Sequence, residues 1–199
     1  MIRNYIFAFA FLITPLIAQS SESEDWGGLE VNVFEVDLTL VPKGVFDFAG
    51  EDYLKANEKA VVVSAISPNQ ALKNGLIGKL VLGVLDPNSK KISERTFIQN
   101  QEFRLLVQQL AAIGDEPGLK EYISTQNPEF VAAIDQRTAN PMGNVPNEDI
   151  IGFYIIKNGK IDSFNQNKNY KLVTKDGVAK FTPGVVKQLQ ELINRASEI

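Results

Sequence analysis

Three contiguous carboxylate pairs, Glu51-Asp52, Asp115-Glu116 and Glu148-Asp149, are the residues of this chain whose types could perform acid–base chemistry. A glycosidase-like hydrolase needs two carboxyl groups facing each other across a cleft, one of them kept protonated by its surroundings. Such groups usually come from different elements. Each pair here lies at an expected loop or helix start, where acidic residues complement the helix dipole, so no catalytic residue is assigned. The chain contains no histidine and no cysteine. That removes thiol redox, cysteine nucleophiles, Ser-His-Asp triads, histidine metal sites and histidine pH switching. Asp86-Pro87-Asn88-Ser89 and Asn147-Glu148-Asp149 carry the hard oxygen donors that suit calcium, but without EF-hand spacing. Turn chemistry accounts for both runs, and no metal or cofactor is expected.

Charge is distributed unevenly. Residues 21–60 hold ten acidic and three basic side chains, net −7, and residues 157–180 hold six lysines and two aspartates, net +4. This asymmetry makes Lys157 and Lys160 candidate partner-binding residues. Trp26 is a candidate anchor for a partner, whereas Phe46 and Phe48 are expected to pack. The overall charge of −4 and a basic stretch interleaved with asparagines argue against nucleic acid as a ligand.

The elements that would position these residues begin with MIRNYIFAFAFLITPLIAQS. One arginine, an apolar run interrupted by Pro15, and Ala18-Gln19-Ser20 have the layout of a secretory signal peptide over residues 1–20. The apolar run is shorter than a spanning helix needs, so no stable membrane span is expected after cleavage and the mature chain is expected to be periplasmic or secreted. Residues 21–28 read as a flexible acidic leader, and residues 29–199 as a single α/β domain, long enough for a real core. LEVNVFEVDLTLV switches its apolar phase near Val33-Phe34, as a bulged strand would.

VVVSAI reads as a strand and Ser67-Pro68 as the cap and first residue of a helix. KLVLGVLD is a further strand, and ISERTFI is a strand or an extended lead-in. Asn100 starts a helix with Phe103, Leu106, Val107, Leu110 and Ile113 on one face. Short helices are expected over 119–124 and after Asn127-Pro128. IIGFYII-KNGK-IDSF is a hairpin with Asn-Gly at its turn, Lys175-Asp176-Gly177 marks a second, and Thr182-Pro183 opens the closing helix.

From residue 60 the order strand, helix, strand, helices, hairpin, helix resembles a thioredoxin-like fold, carried by VVVSAISPNQAL, KLVLGVLD, GFYIIKNGKIDSF and VVKQLQELI. The resemblance implies a mixed sheet with flanking helices that ends in a β-hairpin and a C-terminal helix, α/β or α+β in class. It places Ser67 and Asn69 where the family has its redox turn, and Pro146 where it has a cis-proline. SPNQ cannot exchange disulfides, so redox activity does not carry over. Some cysteine-free exported members assemble secretion systems or pili, and VSAISPNQALK resembles their first strand and helix. The expectation is a non-enzymatic binding or assembly protein of the cell envelope, with another envelope protein as partner. Its contact surfaces would be the acidic leader, the edge of the first strand and the lysine-rich hairpins. The alternatives are a carboxylate-dependent hydrolase or a carbohydrate-binding protein, and a peptide binder acting beside a cis-Pro146.

Overall fold

Val61, Val62 and Val63 are stiff at χ1 and favour extended backbone. In the computed structural model, which describes residues 17–74, 78–89 and 91–197, they form the middle of a central strand. That strand, β3 (Lys59–Ser64), follows β1 (Ile17–Asp25), β2 (Glu30–Asp37) and a short helix α1 (Glu51–Ala56). After it come α2 (Pro68–Asn74), β4 (Val81–Leu85), β5 (Phe97–Gln99), α3 (Gln101–Ala111) and α4 (Leu119–Gln126). The chain continues with β6 (Phe130–Ile134), β7 (Ile150–Lys157), β8 (Lys160–Gln166), β9 (Val173–Thr174), β10 (Gly177–Val178) and α5 (Pro183–Ser197). No helix among the described residues is long and apolar enough to cross a membrane.

The strands form a five-stranded sheet in the order β1-β2-β3-β4-β5, a three-stranded sheet β6-β7-β8 and a β9-β10 ribbon. Every ladder is antiparallel. The arrangement is α+β and closes with the expected hairpin and helix. Its strand pairing differs from what the thioredoxin-like resemblance implies. VVVS and VLGVL pair antiparallel, Val62 opposite Val84, where a β-α-β step would run them parallel.

The five-stranded sheet is buried on both faces. Val31 and Val63 enter one core with Trp26, Phe103, Tyr154 and Phe181. Phe34, Val36, Val62 and Val84 enter a second core with Phe46 and Leu80. Two buried faces explain the phase switch in β2, since each phase meets a core of its own. The expected bulge is not in β2, whose pairing with β3 runs unbroken from Asn32 to Asp37. The irregularity lies in β1, between Ala18 and Glu22.

Other expectations are corrected by the structure. Residues 1–16 of the expected signal peptide lie outside the described residues, and residues 17–20 fall within β1. The leader is not flexible: Glu22–Asp25 pair with Val33–Glu30. Gly27 and Gly28 sit at φ +73° and +92° in a tight turn that Asp25 closes by accepting the Gly28 N–H at 2.6 Å. A Cβ on Gly27 would lie 2.7 Å from the Phe181 backbone. The helix expected after Asn127-Pro128 is strand β6. Asn127, at φ +44°, is the left-handed end of α4, and Pro128 follows because it cannot continue a helix.

Candidate functional site

An antiparallel sheet exposes backbone donors and acceptors at its edges, and natural proteins blunt those edges with charge, proline, bulges or short length. β1 carries Glu22, Glu24 and Asp25, β5 is three residues long, and β8 carries Lys160 and Asp162 among serine, asparagine and glutamine. β6 is different. Its sequence, FVAAI, holds no charge and no proline, and among the described residues its only ladder neighbour is β7.

The Ile156 N–H donates to the Glu129 carbonyl at 2.9 Å, and Val131 and Ala133 stand opposite Tyr154 and Gly152. Hydrogen-bonded and non-bonded pairs alternate along an antiparallel ladder. Phe130 and Ala132 therefore direct their N–H and C=O groups away from β7, toward the open side. A groove of about 440 Å³ lies there. The consecutive residues Val131, Ala132, Ala133 and Ile134 line it together with Leu119 and Tyr122 of α4 and Pro141. Side chains alternate between faces along a strand, so a groove touching four in a row follows the edge rather than one face. Tyr122 and Phe130 add exposed aromatic surface, at 49% and 59% exposure, and Phe130 packs edge-on against Phe153 at 6.3 Å.

The C-terminal end of β6 is fixed by a buried polar cluster. Arg137 Nε donates to Asp149 Oδ1 at 2.7 Å. Nη1 donates to the carbonyls of Leu172 and Gly177, and Nη2 to those of Glu148 and Lys171. All five guanidinium N–H groups are thus engaged. Asp135 accepts from the backbone N–H groups of Arg137 (3.0 Å) and Lys180 (2.8 Å) and from the Tyr170 hydroxyl (3.0 Å). Burial pushes the Asp135 carboxyl up against the pull of Arg137, and burial with the nearby Asp135 raises Tyr170 well above an ordinary tyrosine. These groups are saturated by one another, so the cluster ties the 138–149 loop to the β9-β10 ribbon. No local sequence pattern marks it, because its members are brought together by long-range pairing.

The carboxylate pairs take structural roles. Glu51 meets Lys55 one helical turn on, at 2.6 Å. Glu116 accepts from the Thr182 hydroxyl and from the Gly184 N–H at the start of α5. Asp115 accepts from Lys187 at 2.8 Å, a hydrogen bond that holds it below the usual carboxylate range. Asp149 belongs to the Arg137 cluster.

The residues singled out in the sequence are scattered. Trp26 is fully buried between Phe97 and Phe181, so it does not serve as an exposed anchor. Ser67 forms a capping box: its Oγ accepts the Gln70 N–H at 3.3 Å while Gln70 Oε1 accepts the Ser67 N–H at 2.8 Å. Ser-Pro-Asn-Gln is therefore accounted for as a helix start, with Asn69 exposed on its first turn. The Val145–Pro146 bond is trans, which removes the cis-proline expected at that position. Lys157 pairs with Asp162 at 2.8 Å, and Lys160 stands opposite it across the turn. The edge of the first predicted strand is not open, since β1 covers β2.

No family model matches the chain, and comparison with curated proteins and with solved structures gives no match.

Proposed function

We propose that the chain is an exported, non-enzymatic binding module of the cell envelope that takes up an extended segment of another protein along β6. The observation that carries this reading is the contrast among the sheet edges: β6 is uncharged and proline-free, is longer than the equally uncharged β5, β9 and β10, and borders an apolar groove. An added strand would satisfy the outward groups of Phe130 and Ala132 and set alternate side chains into the groove, the mode known as β-augmentation. A second copy of the chain fits less well, because its own α4 and 138–149 loop would arrive at the same edge. Export is supported by the arginine, apolar run and small-residue pattern of residues 1–20.

The test uses proline as a reporter of which N–H groups matter. Ala132→Pro removes an outward N–H that β7 does not use, so the fold is expected to survive. Ala133→Pro removes a ladder bond and is expected to unfold the sheet. A partner captured from envelope extract by the wild type and lost with Ala132→Pro, at unchanged thermal stability, supports the reading. Equal capture by a folded Ala132→Pro variant overturns it.

A further inference from the structure

A second cavity, of about 560 Å³, lies on another part of the molecule, between the β5–α3 junction and the 167–173 segment. Its volume is within the range of small-molecule sites. We propose that it binds a small saccharide bearing one carboxylate, such as a hexuronic acid or its short oligomer. This inference stands independently of the β6 reading.

The charged lining is Arg104, Lys168 and Lys171 against Glu94 and Glu148. Three positive and two negative groups leave an excess of one positive charge in a protein whose overall charge is −4. Arg104 is half-buried and held by three partners: Nε donates to Gln101 at 2.7 Å, and Nη1 reaches Gln108 at 3.3 Å and the Asn167 carbonyl at 3.5 Å. Its Nη2 has no partner among the described residues. A guanidinium fixed in this way presents directed donors suited to a carboxylate. Lys168 also has no ion-pair partner among the described residues, whereas Lys171 is held by Glu94 at 2.9 Å.

The remaining lining suits hydroxyl groups and a sugar ring. Gln101, Asn147 and Asn169 contribute amides, and Phe97 contributes an apolar wall. Lys171 hydrogen-bonds Glu94 and holds its carboxyl below the usual range, so Glu94 would accept hydrogen bonds from sugar hydroxyls. The cavity wall is pre-set by the buried cluster, because Arg137 Nη2 grips the carbonyls of Glu148 (3.2 Å) and Lys171 (2.6 Å). A site ordered before binding loses less entropy when it is filled.

The chain carries its own reporter: its single tryptophan, Trp26, packs tilted against Phe97, with ring centroids 6.4 Å apart. The experiment is calorimetric titration of the full chain with glucuronate, its disaccharide and neutral glucose, with Trp26 fluorescence followed in parallel. Saturable heat with glucuronate and little with glucose is expected. Arg104→Gln should weaken binding about tenfold, the scale of a lost charge-assisted contact. Lys168→Gln, at an exposed position with no packing role, should weaken it several-fold and guards against a folding defect in the first variant. Equal affinity for glucuronate and glucose, indifference to both substitutions, or no heat up to about 10 mM acidic sugar overturns the proposal.

Discussion

Truncating Arg137 tests whether the buried cluster holds the C-terminal half of the fold in register. Its side chain is 2% exposed, and its guanidinium donates to one carboxylate and four carbonyls. Arg137→Met keeps most of the aliphatic volume while removing the guanidinium from the carbonyls of Lys171 and Gly177, leaving those of Glu148 and Leu172 with one backbone N–H each and Asp149 with only Thr138 at 2.8 Å. Removing one partner of a buried ion pair costs about 3–5 kcal/mol, because the remaining charge stays in a dry site. In a domain of this size that corresponds to a fall in Tm of roughly 6–20 °C. Arg137→Lys should recover little, since three ammonium donors cannot replace a planar five-donor fork. Urea unfolding followed by Trp26 fluorescence measures the loss. Lys55→Ala, in a fully solvated pair with Glu51, serves as the control and should cost no more than about 0.5 kcal/mol. If Arg137→Met and Arg137→Lys both unfold within about 1 kcal/mol of the wild type, the cluster is not what fixes this region.

Ser67→Ala should cost about 1 kcal/mol by removing one half of the capping box at α2; urea midpoints check this, and no effect would mean that α2 is held by packing alone. Tyr170 is raised well above 10, so its contribution is fully present below pH 10 and declines as the unfolded chain begins to ionise above it. Alkaline unfolding should therefore set in near pH 10, and Tyr170→Phe should flatten that dependence at a cost near 1–3 kcal/mol from the hydrogen bond lost at Asp135. Asp115 and Glu94 are both depressed, so their contributions are present above ordinary carboxylate values and are lost as pH falls through their lower folded values. NMR titration of the two carboxyls in the folded chain should show both midpoints displaced downward, and Lys187→Gln should return Asp115 upward.

Elements whose signals are local were legible in the sequence. Asn158-Gly159 adopts positive φ at both positions, as a primed hairpin turn requires, and joins β7 to β8 at the expected residues. Asn100 caps α3 by accepting the Glu102 N–H at 3.0 Å. Signals that work in two directions misled. Asn before proline can open a helix or end one, and only the packing of FVAAI against β7 decides that Asn127 ends α4. Gly27-Gly28 loosens an isolated chain, yet it makes the turn that returns β1 to β2. The candidate site was not legible as a whole. FVAAI shows its lack of charge in sequence, but its position at an open edge exists only once β7 has paired with its other side. The Arg137 cluster joins residues up to 45 apart along the chain, beyond any local period.

Site-specific photocrosslinking from β6 tests the central claim most directly. A photoreactive phenylalanine at position 130 should cross-link an extended segment of another envelope protein, and the same probe at Ser163 on the blunted β8 edge should give no such adduct. Successive probes at positions 130, 132 and 134 should map to partner residues spaced two apart, as a paired strand requires. Equal cross-linking from positions 130 and 163, adducts only to further copies of this chain, or no adduct from β6 would contradict the account.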